Sequence, residues 1–132
     1  MNTYYHVFEL MTRNPYCARP NLPVSEVVLE LVKRKATAAP VINEAEELIG
    51  LLSLVDLAAY PGGWQHLTVS QLMQRRVYTV EHSATLASAA AEMQEHRVHR
   101  LVVTDGQRVA GVISCLDLLP VVWETTGGRP LV

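Results

Sequence analysis

The feature that most constrains this chain is that it matches itself. Shifted by 62 positions, Val7 falls on Val69, Leu10 on Leu72, Met11 on Met73 and Tyr16 on Tyr78. The same shift lays Val24 on Leu86, Leu31 on Met93, Lys35 on Arg97 and Val41 on Val103. After a one-residue shortening in a loop the offset becomes 61. Gly50-Leu51-Leu52-Ser53-Leu54-Val55-Asp56-Leu57 then falls on Gly111-Val112-Ile113-Ser114-Cys115-Leu116-Asp117-Leu118. Apolar positions coincide by chance often; a Gly, a Ser and an Asp at fixed spacing do so rarely. A repeat of this kind decides the fold before any local reading does, because one supersecondary unit cannot bury its apolar face alone.

Each copy has the same local grammar. A short helical turn ends in Leu10-Met11 or Leu72-Met73, and a short extended piece follows, around Tyr16-Cys17-Ala18 and Val77-Tyr78-Thr79-Val80. Next comes an amphipathic helix. Val24, Val27, Val28, Leu31 and Val32 recur at helical spacing in the first copy, and Leu86, Ala89, Ala90 and Met93 in the second. Pro23 and Thr85 suit the two helix starts. Two strands come after each helix: Ala39 to Ile42 with Leu48 to Leu52, and Leu101 to Thr104 with Val109 to Ile113. Polar turns join them, and Asp105-Gly106 is a hairpin signal. A second helix opens at Ser53 and at Ser114, and Pro61-Gly62-Gly63 separates the copies. The expectation is an α+β fold of two βαββα repeats, about 4–60 and about 66–123, within one domain spanning 1–132. Their sheets would pack together as a pseudo-twofold pair with two equivalent clefts, where small ligands commonly sit. Residues 124–132 read as a loose tail.

A chain of 132 residues with 49% hydrophobic content is long enough to bury a core as one domain. A net charge of −2 gives no general pull toward nucleic acid or an acidic membrane surface. Cys17 and Cys115 have no metal-type spacing, and a reduced cytoplasmic location is the simplest reading of two such distant cysteines. Met1 to His6 carries neither a basic head nor an apolar stretch, so no signal peptide is read. The most apolar run, Leu48 to Tyr60, is broken by Ser53 and Asp56 and falls short of the roughly 20 residues a membrane helix needs.

The residues also resemble a known family. Ala39-Pro40-Val41-Ile42-Asn43 with Gly50 to Leu57, and Val98-His99-Arg100-Leu101-Val102-Val103 with Gly111 to Leu119, are similar to the cystathionine-β-synthase (CBS) domain. The similarity covers roughly residues 4–123. Two linked copies form what is known as a Bateman module. The resemblance implies a regulatory module rather than an enzyme. It would require no cofactor and would bind an adenosine-containing ligand (AMP, ADP, ATP or S-adenosylmethionine) in the clefts between repeats. It further implies a homodimer that signals to a separate effector protein.

Carried over by position, the resemblance places Ser53 and Asp56 in one cleft and Ser114 and Asp117 in the other. The Asp would accept hydrogen bonds from the ribose diol, a suitable task for two carboxylate oxygens. Phosphate would meet His99 and Arg100 in the Asp56 cleft, Arg being the stronger phosphate binder. Adenine would pack on Val77, Tyr78 and Thr79 there, and on Tyr16, Cys17 and Ala18 in the second cleft. Thr37 and Ala38 stand where the other copy has His99 and Arg100, so the Asp56 cleft is expected to be the better nucleotide site.

Plainer readings compete. Ser-x-x-Asp at a helix start is also a capping pattern, with the Asp favoured by the positive helix end. His96, Arg97, His99 and Arg100 read equally as the solvated end of a helix. No metal ligand set is evident around His96 and His99. Cys115 reads as a core residue, and Trp64 and Trp123 as packing or dimer-contact residues. No nucleophile–base arrangement and no glycine-rich phosphate loop is present. The competing function is a ligand-free dimerisation or protein-interaction module.

Overall fold

A computed structural model describes residues 5–127. Met1 to Tyr4, where the signal-peptide reading begins, and the 128–132 part of the expected tail lie outside the described residues.

The elements follow the doubled grammar. The first copy carries α1 (Val7–Leu10), β1 (Thr12–Arg13), α2 (Val24–Arg34), β2 (Ala38–Ile42), β3 (Leu48–Ser53) and α3 (Leu54–Ala59). The second carries α4 (Val69–Leu72), β4 (Thr79–Glu81), α5 (Leu86–His96), β5 (Arg100–Asp105), β6 (Arg108–Ser114), a 3-10 turn (Cys115–Leu118) and α6 (Leu119–Thr125). The fold is α+β, as the repeat implies. The expected tail therefore starts late, because Glu124 and Thr125 still belong to α6.

Local chemistry fixes these boundaries. Thr85 caps α5 by accepting the Ser88 N–H through its hydroxyl, while Pro23 precedes α2 with no side-chain cap. Both helices end in the left-handed region, at Lys35 (φ 54°) and Arg97 (φ 54°). There Ala36 N–H reaches Leu31 O and Val98 N–H reaches Met93 O, which satisfies carbonyls that the helix end would orphan. The two-residue turn between β5 and β6 needs Gly106, whose φ is +63°. In the longer turn of the first copy, the Asn43 side chain accepts the Ala45 and Glu47 N–H groups instead.

The α2 stripe is narrower than its spacing suggests. Val24, Val27 and Leu31 are fully buried, but Val32 is 63% exposed, beyond the edge of the buried face. The second copy's closing helix also departs from expectation. It begins as a 3-10 turn and becomes α-helical only near Pro120, which has no N–H to offer the Leu116 carbonyl.

The repeat is one of sequence, whereas the compact units group the chain differently. Among the described residues, one unit comprises Pro15–Val77 with Gln107–Val109; the other comprises residues 5–14, Tyr78–Gly106 and residues 110–127. The first holds an antiparallel β2–β3 pair, with Ala39 facing Leu52 and Val41 facing Gly50. Its core gathers Val24, Val27, Leu31, Val41, Leu52 and Leu57 with Val69 and Met73. The second holds the sheet β1-β6-β5-β4, in which β4 runs parallel to β5 and β1 antiparallel to β6. Its core gathers Val7 with Val80, Leu86, Ala89, Met93, Leu101, Val103 and Ile113. Each copy's opening helix is thus held in the unit built mainly from the other copy.

The backbone bonds make this exchange reciprocal. Val7 N–H donates to Ala84 O, Phe8 N–H to His82 O and Leu86 N–H to Tyr5 O. In the other unit Val69 N–H donates to Leu22 O, Ser70 N–H to Pro20 O and Val24 N–H to Leu67 O. These are the same three bonds with the roles of the two copies interchanged.

One carboxylate braces the second unit's sheet. Glu81 accepts from Gly106 N–H at 2.8 Å and from Thr104 Oγ1 at 3.1 Å. The backbone hydrogen bond from Gly106, aided by Thr104, holds the Glu81 carboxyl below its ordinary value. A depressed carboxyl stabilises above its unfolded pKa and loses that contribution as pH falls through its folded value. In urea unfolding at pH 7 and again below pH 4, Glu81→Gln should therefore be destabilising at the higher pH and near neutral at the lower. An equal loss at both would show that the charge is irrelevant.

Candidate functional site

The two Ser-x-x-Asp patterns form caps in both copies. In the first unit Ser53 Oγ accepts the Asp56 N–H at 3.2 Å and donates to Asp56 Oδ2 at 2.9 Å. Gln74 Nε2 donates to the other oxygen, Oδ1, at 3.0 Å. The carboxylate is thereby fixed by two neutral donors, and about four lone-pair directions leave it capacity for more. Sequence reasoning missed Gln74. The signal was weak, because Thr12 occupies the matching place in the other copy. In the second unit Asp117 Oδ2 accepts the Ser114 N–H at 2.8 Å and lies 3.4 Å from Ser114 Oγ. The local helix-cap reading is therefore what these bonds express, and Asp56 and Asp117 both remain partly exposed.

The glycine of each pattern has a separate task. A Cβ on Gly111 would lie 2.6 Å from Thr12 O and 2.6 Å from Met11 Sδ. A Cβ on Gly50 would lie 2.5 Å from Met73 Sδ and 3.0 Å from Gln74 O. The Leu-Met turn of one copy presses on the strand of the other, and only glycine leaves room. The Gly identity in the repeat thus reports the exchange of helices rather than a ligand.

The other candidates divide between the units. In the second unit His99 is exposed and its carbonyl accepts the Cys115 N–H at 2.8 Å; Arg100 opens β5 and is half-buried. His99 borders a hollow of about 490 Å³ with Ala90, Met93, Val98 and Cys115. Thr79 begins β4, and Tyr78 O accepts the Val102 N–H. In the first unit the Thr37 carbonyl accepts the Leu54 N–H, which reproduces the His99–Cys115 bond. Ala38 lies within β2, and Val77 is half-buried. Ala18 is fully buried, with its N–H on Pro40 O and its carbonyl on Ile42 N–H. Cys17 donates to Pro15 O, and burial pushes its thiol up. Cys115, expected in the core, is exposed, because the 3-10 turn directs it outward from the helix start. Trp64 packs on the first unit's core, whereas Trp123 is 45% exposed.

Neither tyrosine stands alone. Arg34 Cζ lies 5.1 Å above the centre of the Tyr16 ring, and Glu30 holds that guanidinium at 3.3 Å. Burial, then Glu30 and Glu26, raise the Tyr16 hydroxyl above its usual value. In the other unit the His96 imidazole stacks on Tyr78 with centroids 3.9 Å apart and planes 12° apart. Glu92 holds the imidazole at 3.1 Å. Elsewhere in that unit Glu81, His82 and Asp105 bring three potential metal-ligating atoms within 4.8 Å of one another. Their hydrogen bonds, and a His82–Asp105 contact at 3.3 Å, account for the cluster without an ion. Among the described residues no helix is long and apolar enough to cross a membrane.

Comparison with known proteins agrees with the doubled architecture. The CBS domain family model matches twice, over residues 7–63 and 69–124. The γ-3 subunit of 5'-AMP-activated protein kinase from Bos taurus is 32% identical over 108 residues, covering 74% of this chain and 22% of that protein. The chain spans about a quarter of the length of the curated relatives it matches, 27% and 22% for two from Methanocaldococcus jannaschii. Among solved structures, CBSX2 in complex with AMP is 25% identical with a TM-score of 0.76, covering 92% of this chain and 98% of that one. The CBS domain pair of protein MJ0100, in complex with 5'-methylthioadenosine and S-adenosyl-L-methionine, is 22% identical. It has a TM-score of 0.83 and covers 92% of this chain and 98% of that one, a likeness of fold. With both copies matched and nearly the whole chain covered, this protein belongs to the CBS domain family as a tandem pair.

Proposed function

We propose that the chain is a non-catalytic regulatory module that binds an adenosine-containing ligand and passes the signal to a partner protein. The observation that carries this reading is the Asp56 carboxylate. Ser53 and Gln74 fix it with neutral donors and leave it acceptor capacity for a ribose diol. Relatives support the ligand class, since CBSX2 holds AMP and the MJ0100 pair holds 5'-methylthioadenosine and S-adenosyl-L-methionine. In the proposal Ser53 and Asp56 take the ribose, His99 and Arg100 the phosphate, and Val77, Tyr78 and Thr79 the base. Ser53 and Asp56 belong to one compact unit and His99 and Arg100 to the other; that one ligand engages both is part of the proposal. Tyr16, Cys17, Ala18, Thr37, Ala38, Ser114 and Asp117 would form the weaker counterpart, which lacks a phosphate-binding Arg. A cytoplasmic homodimer acting on a separate effector completes the reading.

A second reading, dimerisation without a ligand, draws on exposed apolar side chains. Leu116 is 74% and Val55 72% exposed at matching positions of the repeat. A thermal-shift panel with AMP, ADP, ATP and S-adenosylmethionine separates the two readings. A ligand at 100 times its dissociation constant adds about 2.7 kcal/mol of stability. Silence across the panel at millimolar concentration favours dimerisation alone, and light scattering reports the dimer directly. Arg100→Ala should weaken AMP at least tenfold while sparing adenosine, because a charge-assisted hydrogen bond is worth about 1.5–3 kcal/mol. Unchanged AMP affinity would remove Arg100 from the site.

A further inference from the structure

An arrangement of glutamate, basic residue and tyrosine occurs twice, and its middle member differs. Glu30, Arg34 and Tyr16 of the first copy fall on Glu92, His96 and Tyr78 of the second at the same offset of 62. In both units the glutamate lies one turn before the basic residue on the same helix, at 3.3 Å for Glu30–Arg34 and 3.1 Å for Glu92–His96. In both, the basic side chain covers the face of the tyrosine that precedes the first core strand segment. The repeat thus preserves a three-residue construction while exchanging a permanently charged guanidinium for an imidazole. Arginine stays charged at every physiological pH. Imidazole is the side chain whose charge ordinarily changes between about pH 5 and 8.

We infer that His96 is the proton-responsive counterpart of Arg34, and that its charge sets how firmly the Tyr78 ring is held. A protonated imidazole adds a cation–π attraction to the stack and a charge-assisted bond to Glu92. The neutral ring keeps only the stack and a weaker hydrogen bond. The titratable groups that the described structure places against His96 are Glu92, on its own helix, and Tyr78, on the segment before β4. His99 lies beyond the helix end.

The inference deepens the ligand reading and rests on it for one consequence. Tyr78 belongs to the segment proposed to receive the adenine, and a ring already held in place costs less to order on binding. His96 therefore acts as a positioning residue, and adenosine should bind two- to fivefold more tightly at pH 6 than at pH 8, matching a cation–π contribution of about 0.5–1 kcal/mol. Arg34 gives the first unit no such dependence.

The test uses the full chain and adenosine, a probe with no group that titrates between these pH values. Without ligand, the Tyr78 ring signals in NMR should move with pH in step with the His96 imidazole. They should be flat in His96→Arg and insensitive to His99→Gln. With adenosine, His96→Arg should bind tightly at both pH values, and His96→Ala weakly at both. Tyr78 signals that ignore His96 protonation overturn the inference. So does a pH dependence of adenosine affinity that survives in His96→Arg, and in that case the ligand reading still stands. Adenosine that fails to bind at either pH, with Tyr78 still following His96, rejects the ligand reading and supports the coupling of charge to ring.

Discussion

Gly111→Ala is expected to destabilise the protein by about 2–3 kcal/mol, the range for overpacking a close-packed site. The new methyl would meet Thr12 O at 2.6 Å. That carbonyl cannot turn away freely, because Thr12 pairs with Val112 and Arg13 with Gly111 in the β1–β6 ladder. Met11 Sδ, at the same distance, is the end of a flexible side chain and is the easier neighbour to displace. Gly50→Ala should cost less, about 1 kcal/mol, since its shortest contact is with Met73 Sδ and the backbone carbonyl of Gln74 is 3.0 Å away. Thermal unfolding of the two variants would show the difference as a melting point lowered by roughly 5–15 °C for Gly111→Ala and a few degrees for Gly50→Ala. Equal shifts, or a stabilised Gly111→Ala, would refute the idea that the opening turn of the first copy is pressed against β6.

Removal of residues 1–14 should be the most damaging change of all, and damaging in a particular place. Val7 is fully buried among Leu86, Met93, Leu101 and Ile113. Burial of one such side chain stabilises by about 1.5–3 kcal/mol. The truncation also removes the β1 edge of the four-stranded sheet and the Val7–Ala84, Phe8–His82 and Tyr5–Leu86 backbone bonds. A combined cost on the order of 4–6 kcal/mol approaches the whole stability of a small domain. Hydrogen exchange should therefore show lost protection in α5, β5 and β6, built from the second copy. The β2–β3 pair and α2 should be affected less. A synthetic peptide of residues 1–14 should restore protection in proportion to its concentration, as a ligand of the folded state does. Protection lost first in β2 and β3 would mean that the opening helix serves its own copy.

Much of the architecture was legible in the residues. Both amphipathic helices, the four core strands and the capped starts at Ser53 and Ser114 follow from periodicity, turn chemistry and the internal match. The departures have local causes. Val32 is apolar but lies past the edge of the buried stripe, and the segment from Cys115 opens as a 3-10 turn before Pro120, whereas its first-copy counterpart is α-helical from Leu54 to Ala59. Cys115 was misread because an apolar neighbourhood in sequence says nothing about which way a 3-10 turn points its side chains. Gln74 was invisible because it reaches Asp56 from 18 residues away through folding alone.

By itself the sequence determined that the chain is built from two similar copies, and it placed Gly, Ser and Asp at the same point in each. Hydrophobic period and helix-cap chemistry are local, so one chain segment carries the whole signal. The tertiary structure decided which segment completes which core, and with it what each matched residue does. The repeated glycine became the place where the other copy's methionine turn presses in. The repeated tyrosine became the partner of a basic side chain from the last turn of a helix. Side chains that meet across many residues leave no periodic trace, and packing of whole elements alone brings them together.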